Sequence, residues 1–353
     1  MLFELRSGLR KRTAFAAALL VLASLSACGD DEAQAGGEVA TGGWDSVVAA
    51  AEKEGSVVFY GGKGEEVLRR VADAFEKKYP NIQAEFVRLT SGELAERVDE
   101  ERTAGNLGAD VVWNAEIRWQ EKHIEAGDVI KPDGPSTDGW NQEDYASGRV
   151  RLSTDPIGIM YNTERVSKPP TDWPDLIDDA YRGAIVSIDT VATPTLAFYD
   201  FLETKFGREY LEDLGELGVV LQPSSAPSAQ SVASGESAIC PYGYSWLAVP
   251  LAEQGAPVEI VYPSSGTVTF DQSAVVFNDA PHPNAARVLL DYMMSEEGQL
   301  VINGDKQGFS VVPGLDTGLD IAPELLNVPD WERYDDPAVR QRIEATVDEL
   351  LRG

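Results

Sequence analysis

Apolar and polar positions change period repeatedly along this chain. Residues 57–60 (V-V-F-Y) form a continuous apolar run, and the following 64–78 sets Val67, Leu68, Val71, Ala74 and Phe75 on one face at helical spacing. Tyr79-Pro80 ends that period, and I-Q-A-E-F-V-R-L resumes as a strand. A second helix is predicted over 91–104 with Ser91 as its N-cap, and A-D-V-V-W-N supplies a third strand ending at Asn114. Strands alternating with helices predict a mostly parallel sheet covered on both faces. The alternation resumes beyond 150 with I-G-I-M-Y-N, a helix near 172–181, the strand A-I-V-S-I-D, a helix from about 195 and a strand near 237–240. Two segments without helical period, around 150–157 and 260–270, are placed to cross between two halves. The expectation is an α/β chain of two lobes joined by a two-segment hinge. Lobe 1 takes 44–150 plus 268–305, lobe 2 takes 151–267, and 306–353 is a C-terminal helical segment.

The N-terminal pattern is of another kind. Arg6, Arg10, Lys11 and Arg12 precede the apolar run A-F-A-A-A-L-L-V-L-A, and the segment closes on L-S-A-C. A charged start, a short apolar run and small residues before the end describe an export signal over 1–28, too short to span a bilayer comfortably. Residues 29–43, rich in Gly, Ala and acids, read as a flexible tether. The L-S-A-C ending resembles a lipoprotein lipobox, which implies lipid on Cys28, an outer-face location and attachment through that lipid alone. With Cys28 acylated, Cys240 has no partner and no disulfide is expected. The formal net charge of −30 repels nucleic acid and anionic lipid.

Between the first strand and its helix lies G-G-K-G, residues 61–64. Glycines and a helix N-terminus suit an anion, but neither nucleotide fingerprint fits: Lys63 is followed by Gly64 rather than Ser or Thr, and G-x-G-x-x-G is absent. A strand–turn–helix ligand loop remains, with Gly62 and Lys63 as its candidates. Catalytic patterns are missing as well. The histidines, His123 and His282, stand beside no plausible nucleophile, and no G-x-S-x-G, H-E-x-x-H or paired-cysteine spacing occurs. The reading is a binder, not an enzyme, with no cofactor; a secreted α/β hydrolase is the remote alternative.

Several stretches together resemble the extracellular solute-binding proteins of ABC importers, two-lobed periplasmic binding proteins of the ferric-iron, phosphonate and polyamine type. They are V-V-F-Y-G-G-K-G-E-E with A-D-A-F-E-K-K-Y-P, G-A-D-V-V-W-N, D-P-I-G-I-M-Y-N-T, W-P-D-L-I-D-D-A-Y-R-G, Q-S-V-A-S-G-E-S-A-I, and G-A-P-V-E-I-V-Y-P with A-P-H-P-N-A-A-R-V-L-L-D-Y-M-M-S-E-E-G-Q. The resemblance covers nearly the whole chain beyond the tether. It implies a ligand held in the interlobe cleft, a monomeric binder, and a permease and an ATPase as partners.

The resemblance places the 61–64 turn on one wall of that cleft. Ferric-iron members offer a His in this turn, a Glu after the third strand and a tandem Tyr-Tyr. Here Gly64 and Ala115 stand at the first two positions, and Tyr244 is followed by Ser245. Ferric iron demands hard anionic oxygen ligands. Glu116, Tyr242 and Tyr244 are the substitutes, which leaves iron as the alternative cargo. The favoured cargo is a small organic or phosphorus-containing anion. Lys63 supplies charge, Ser91 with Gly92 and Thr193 with Thr195 supply helix N-termini, Asn114 ends a strand, and Trp113, Tyr161, Tyr242 and Tyr244 supply walls.

Overall fold

The computed structural model describes residues 38–352 apart from 190 and 191. The expected export signal, Cys28 and most of the expected tether lie outside the described residues. The end of the tether within them is irregular but held: the Asn284 side chain bonds Glu38 and Ala40, and Arg287 donates to the Ala40 carbonyl.

The first lobe opens with α1 (Trp44–Glu54) and β1 (Ser56–Gly61), then α2 (Glu65–Lys78), β2 (Gln83–Arg88), α3 (Ser91–Thr103), β3 (Val111–Asn114) and α4 (Ile117–Ala126). β2 and β3 flank β1 in parallel, as strand–helix alternation requires. α2 buries Val67, Leu68, Val71, Ala72 and Phe75, with acids in its first turn and lysines in its last, matching the helix dipole. Each of the large apolar side chains in that stripe contributes roughly 1.5–3 kcal/mol on burial. α3 starts one residue earlier in its capping than its sequence suggests. Thr90, not Ser91, is the N-cap, in a reciprocal box with Glu93.

β4 (Val150–Pro156) ends the first passage, and β5 (Gly158–Asn162) opens the second lobe. There follow β6 (Val186–Ile188), α5 (Thr193–Phe206), α6 (Arg208–Glu216), β7 (Val220–Gln222), α7 (Ser225–Ala233), β8 (Ile239–Gly243), α8 (Ser245–Glu253) and β9 (Val258–Val261). β6 and β7 pair in parallel, whereas β5 lies antiparallel between β8 and β9. The expected helix near 172–181 is replaced by two 3-10 turns, Trp173–Ile177 and Asp179–Tyr181. Asp172 and Asp178 each accept a nearby backbone N–H, so side chains compete with helical bonding.

β10 (Thr267–Val275) returns to the larger sheet antiparallel to both β3 and β4. α9 (Pro283–Met294) and α10 (Glu296–Asn303) then pack against α1 and α2. The tail is less helical than its sequence reads. Phe309 bridges Thr154, β11 (Leu326–Asn327) pairs with the start of β10, and only α11 (Pro337–Leu351) forms a long helix, packed on α5 and α6. The tail therefore makes a further passage between the lobes, beside Ile157 and 262–266. Among the described residues no helix is long and apolar enough to cross a membrane.

Candidate functional site

Most of the parallel-paired strands and β8 end at one crevice. Gly62 follows β1, Arg88 closes β2, Ala115 follows β3, Ile188 closes β6, Pro223 follows β7, and Tyr242 and Tyr244 lie at the end of β8. Crevices outside the carboxyl ends of strands are where open α/β sheets bind ligands. This one leaves about 60 Å³ for the centres of water-sized molecules. A roomier groove, about 520 Å³, lies outside it between α5 and residues 327–334, away from these strand ends.

Of the residues expected from the sequence, Gly62, Ser91, Thr195, Tyr242 and Tyr244 line the cleft together. Gly62 is required by close approach: a Cβ there would meet the Ser91 hydroxyl at 2.9 Å. That hydroxyl accepts from the Ala115 N–H at 3.1 Å, tying the turn after β3 to the start of α3. The Thr195 hydroxyl exchanges bonds with Ala192 and closes the first turn of α5. Tyr244 donates to the Tyr242 hydroxyl at 3.1 Å, and their rings meet edge to face. Burial pushes both phenols far above their ordinary range, so both are neutral.

The other expected residues are used elsewhere, and Lys63 is the largest correction. Its side chain is fully buried, turned inward from the cleft to within 3.1 Å of the equally buried Asp155, and stands 5.9 Å from the Trp113 ring. Burial lowers the lysine pKa and raises that of Asp155, while their mutual attraction opposes both shifts. Lys63 thus fastens the β1–α2 turn to β4 at a crossing between lobes. Trp113 is core. The Asn114 carboxamide oxygen accepts from Gln120 and from the Glu116 N–H, shaping the turn after β3. Tyr161 bonds Glu259 across β5 and β9, and burial and that carboxylate push its hydroxyl up to about 12. Gly92 lies along α3 beyond the lining residues. The Thr193 hydroxyl oxygen accepts from Arg340, and Glu116 lies beside Thr193, which opposes the rise of its pKa, with its buried Oε1 left without a hydrogen-bond partner among the described residues. Glu116, on the first lobe, therefore meets the start of α5 on the second. Burial raises its pKa, so the carboxyl leans toward the neutral form.

Sequence reasoning missed the charge that does face the cleft. Among the described lining residues Arg88 alone is charged. Burial lowers its pKa from the ordinary arginine value, the nearby Glu93 and Glu65 carboxylates oppose that shift, and its Nε donates to the Lys63 carbonyl at 3.5 Å. The signal was its place at the carboxyl end of a parallel strand. Also missed were Ser224 and Ser225 at the start of α7, Trp246 in the first turn of α8, and Gln272 at the bulge of β10. Neither α7 nor α8 has a side-chain cap on its first turn. Free N–H groups at these two N-termini suit an oxyanion.

A crevice between two α/β lobes at the carboxyl ends of their strands has the architecture of a two-lobed binding protein. Bacterial extracellular solute-binding proteins match residues 57–310, and the chain belongs to that family. A substrate-binding protein of an ABC transporter from Agrobacterium tumefaciens shares the fold, with a TM-score of 0.76, 22% identity, and coverage of 86% of this chain and 97% of that one. AfuA from Actinobacillus pleuropneumoniae, with exogenous fructose-6-phosphate bound, gives a TM-score of 0.68 at 22% identity, covering 84% and 98%. Iron-bound HitA from Pseudomonas aeruginosa gives 0.63 at 20%, covering 82% and 99%. An uncharacterized protein of Haemophilus influenzae is 25% identical over 317 residues, 82% of this chain and 88% of its own length.

Proposed function

We propose that the cleft captures a small organic anion, with a phosphate monoester as the favoured head group, and hands it unchanged to permease and ATPase subunits. The observation that carries this reading is Arg88, the one charged lining residue among those described in a chain of net charge −30, sharing the crevice with the uncapped starts of α7 and α8. A guanidinium and backbone N–H groups together match the oxygens of a phosphoryl group. The fructose-6-phosphate bound to AfuA is of this chemistry and supports the choice. A thermal-shift screen over sugar phosphates, phosphonates, carboxylates, polyamines and ferric salts tests it, because a ligand of the folded state raises the melting temperature. The expected hits are phosphate esters, recovered unaltered after incubation; product formation, or stabilisation by polyamines alone, overturns the reading.

Ferric iron is the second reading, favoured by the Tyr242 and Tyr244 hydroxyls at 3.1 Å from each other. Against it, both phenols are held neutral, burial raises the pKa of Glu116, and Arg88 brings positive charge to the same cleft. A tyrosinate-to-iron charge-transfer band in the purified protein, bleached by Tyr244→Phe, would promote iron.

The protein is further read as a monomer anchored outside the membrane by lipid on Cys28. Replacement of Cys28 by Ala should release it from the membrane fraction; a variant that still sediments with membranes contradicts the anchor.

A further inference from the structure

Gly64, the N-cap of α2, and Trp246, in the first turn of α8, belong to different lobes and touch. A Cβ built on Gly64 would lie 3.0 Å from Cε3 and 3.1 Å from Cζ3 of the indole. The missing side chain at 64 is therefore what lets the ring close against the first lobe. Its face is fixed as well, stacked on Tyr244 with centroids 4.7 Å apart and planes 24° from parallel. Trp246 is only 3% exposed and lines the cleft, yet its Nε1–H, on the edge opposite Cε3 and Cζ3, has no acceptor among the described residues. A buried donor left unpaired is costly, and the cleft is the place from which an acceptor can come.

We propose that Trp246 is a specificity-determining residue of this cleft: it closes over Gly64 from the opposite lobe and donates its indole N–H to an oxygen of the bound anion. The proposal rests on the anion reading above and sharpens it. A neutral, rigid donor adds a bond to the anionic oxygen without adding charge, and it is presented only when the ring is seated on Gly64. Selection therefore favours ligands that place an oxygen at the Nε1 edge and leave the Gly64 contact intact. A ligand that pushes the ring off Gly64 loses the donor and the interlobe contact together.

The test uses the intact mature chain with fructose 6-phosphate and inorganic phosphate as probes. The chain has seven tryptophans, so the indole region of a ¹⁵N-correlated NMR spectrum is sparse, and Trp246→Phe assigns one cross-peak by its loss. The expected result is a downfield shift of that cross-peak on adding the better probe, and a roughly 10- to 100-fold weaker Kd for Trp246→Phe, as for loss of a hydrogen bond to a charged acceptor. Gly64→Ala, which displaces the ring while leaving the indole intact, should weaken binding in the same direction, with the folded spectrum retained. If a probe binds the native chain but the cross-peak stays and Trp246→Phe binds equally well, the donor role is wrong while the anion reading stands. If neither probe nor any other anion of the screen binds, the anion reading fails and this role with it.

Discussion

The two walls of the cleft treat their helix N-termini differently. On the first lobe, α3 is closed by the Thr90–Glu93 box, and α2 begins under the Trp246 ring. Its contribution to a ligand is a side-chain charge, Arg88, and a hydroxyl, Ser91. On the second lobe, α7 and α8 begin without side-chain caps, while the first turn of α5 is closed by Thr195. Its contribution is backbone N–H groups, neutral hydroxyls and aromatic faces. One wall thus carries a charged side chain and the other uncapped helix starts and neutral hydroxyls. On the anion reading proposed above, a ligand that reaches both walls would favour their approach.

The largest expected effect concerns the cation that does not face the ligand. Lys63→Ala strands Asp155 in a buried site and should cost about 3–5 kcal/mol of stability in denaturant unfolding. Lys63→Met combined with Asp155→Leu should restore much of that loss. A Lys63→Ala protein of native stability would show that the pair is not what fastens the turn to β4. Arg88→Gln should do the reverse, weakening anion affinity by about 1.5–3 kcal/mol in calorimetry while moving the unfolding midpoint little. Equal affinity in the variant would erase the contrast between the walls.

A smaller effect tests closure without touching the ligand. Thr193→Val removes the hydroxyl that lies beside Glu116 and accepts from Arg340, and should weaken affinity by about 0.5–1.5 kcal/mol. Solution scattering should show a smaller radius of gyration on adding ligand to the native chain; an unchanged radius at saturation argues against lobe closure.

The smallest effect lies away from the cleft and serves as its control. His282 bonds Asp110 at 3.0 Å, which raises its pKa above the ordinary 6.5, so the protonated form favours the folded state. That stabilisation is complete below about pH 6.5 and is lost as pH rises through the folded-state value. Stability should therefore decline by up to about 1 kcal/mol over that interval, and His282→Gln should flatten the decline. Anion affinity should follow no such profile from this residue.

Much of the architecture was legible along the chain because it is written in local periods. The apolar stripe of α2, the strand end at Asn114 and the parallel pairing of the first three strands all follow from spacing and turn chemistry. Where side chains contest the backbone locally, as with the aspartates of 172–178, periodicity misled. Within the cleft, residues fixed by their place at a strand end or helix start, such as Gly62, Ser91 and Tyr244, were legible too. Lys63 and Arg88 were not. The sequence by itself determined that cations would stand near two strand ends, since strand length and turn position are local matters. Only the tertiary structure decided which of the two turns inward, because that choice depends on Asp155, 92 positions further along, offering a buried carboxylate to one and not to the other.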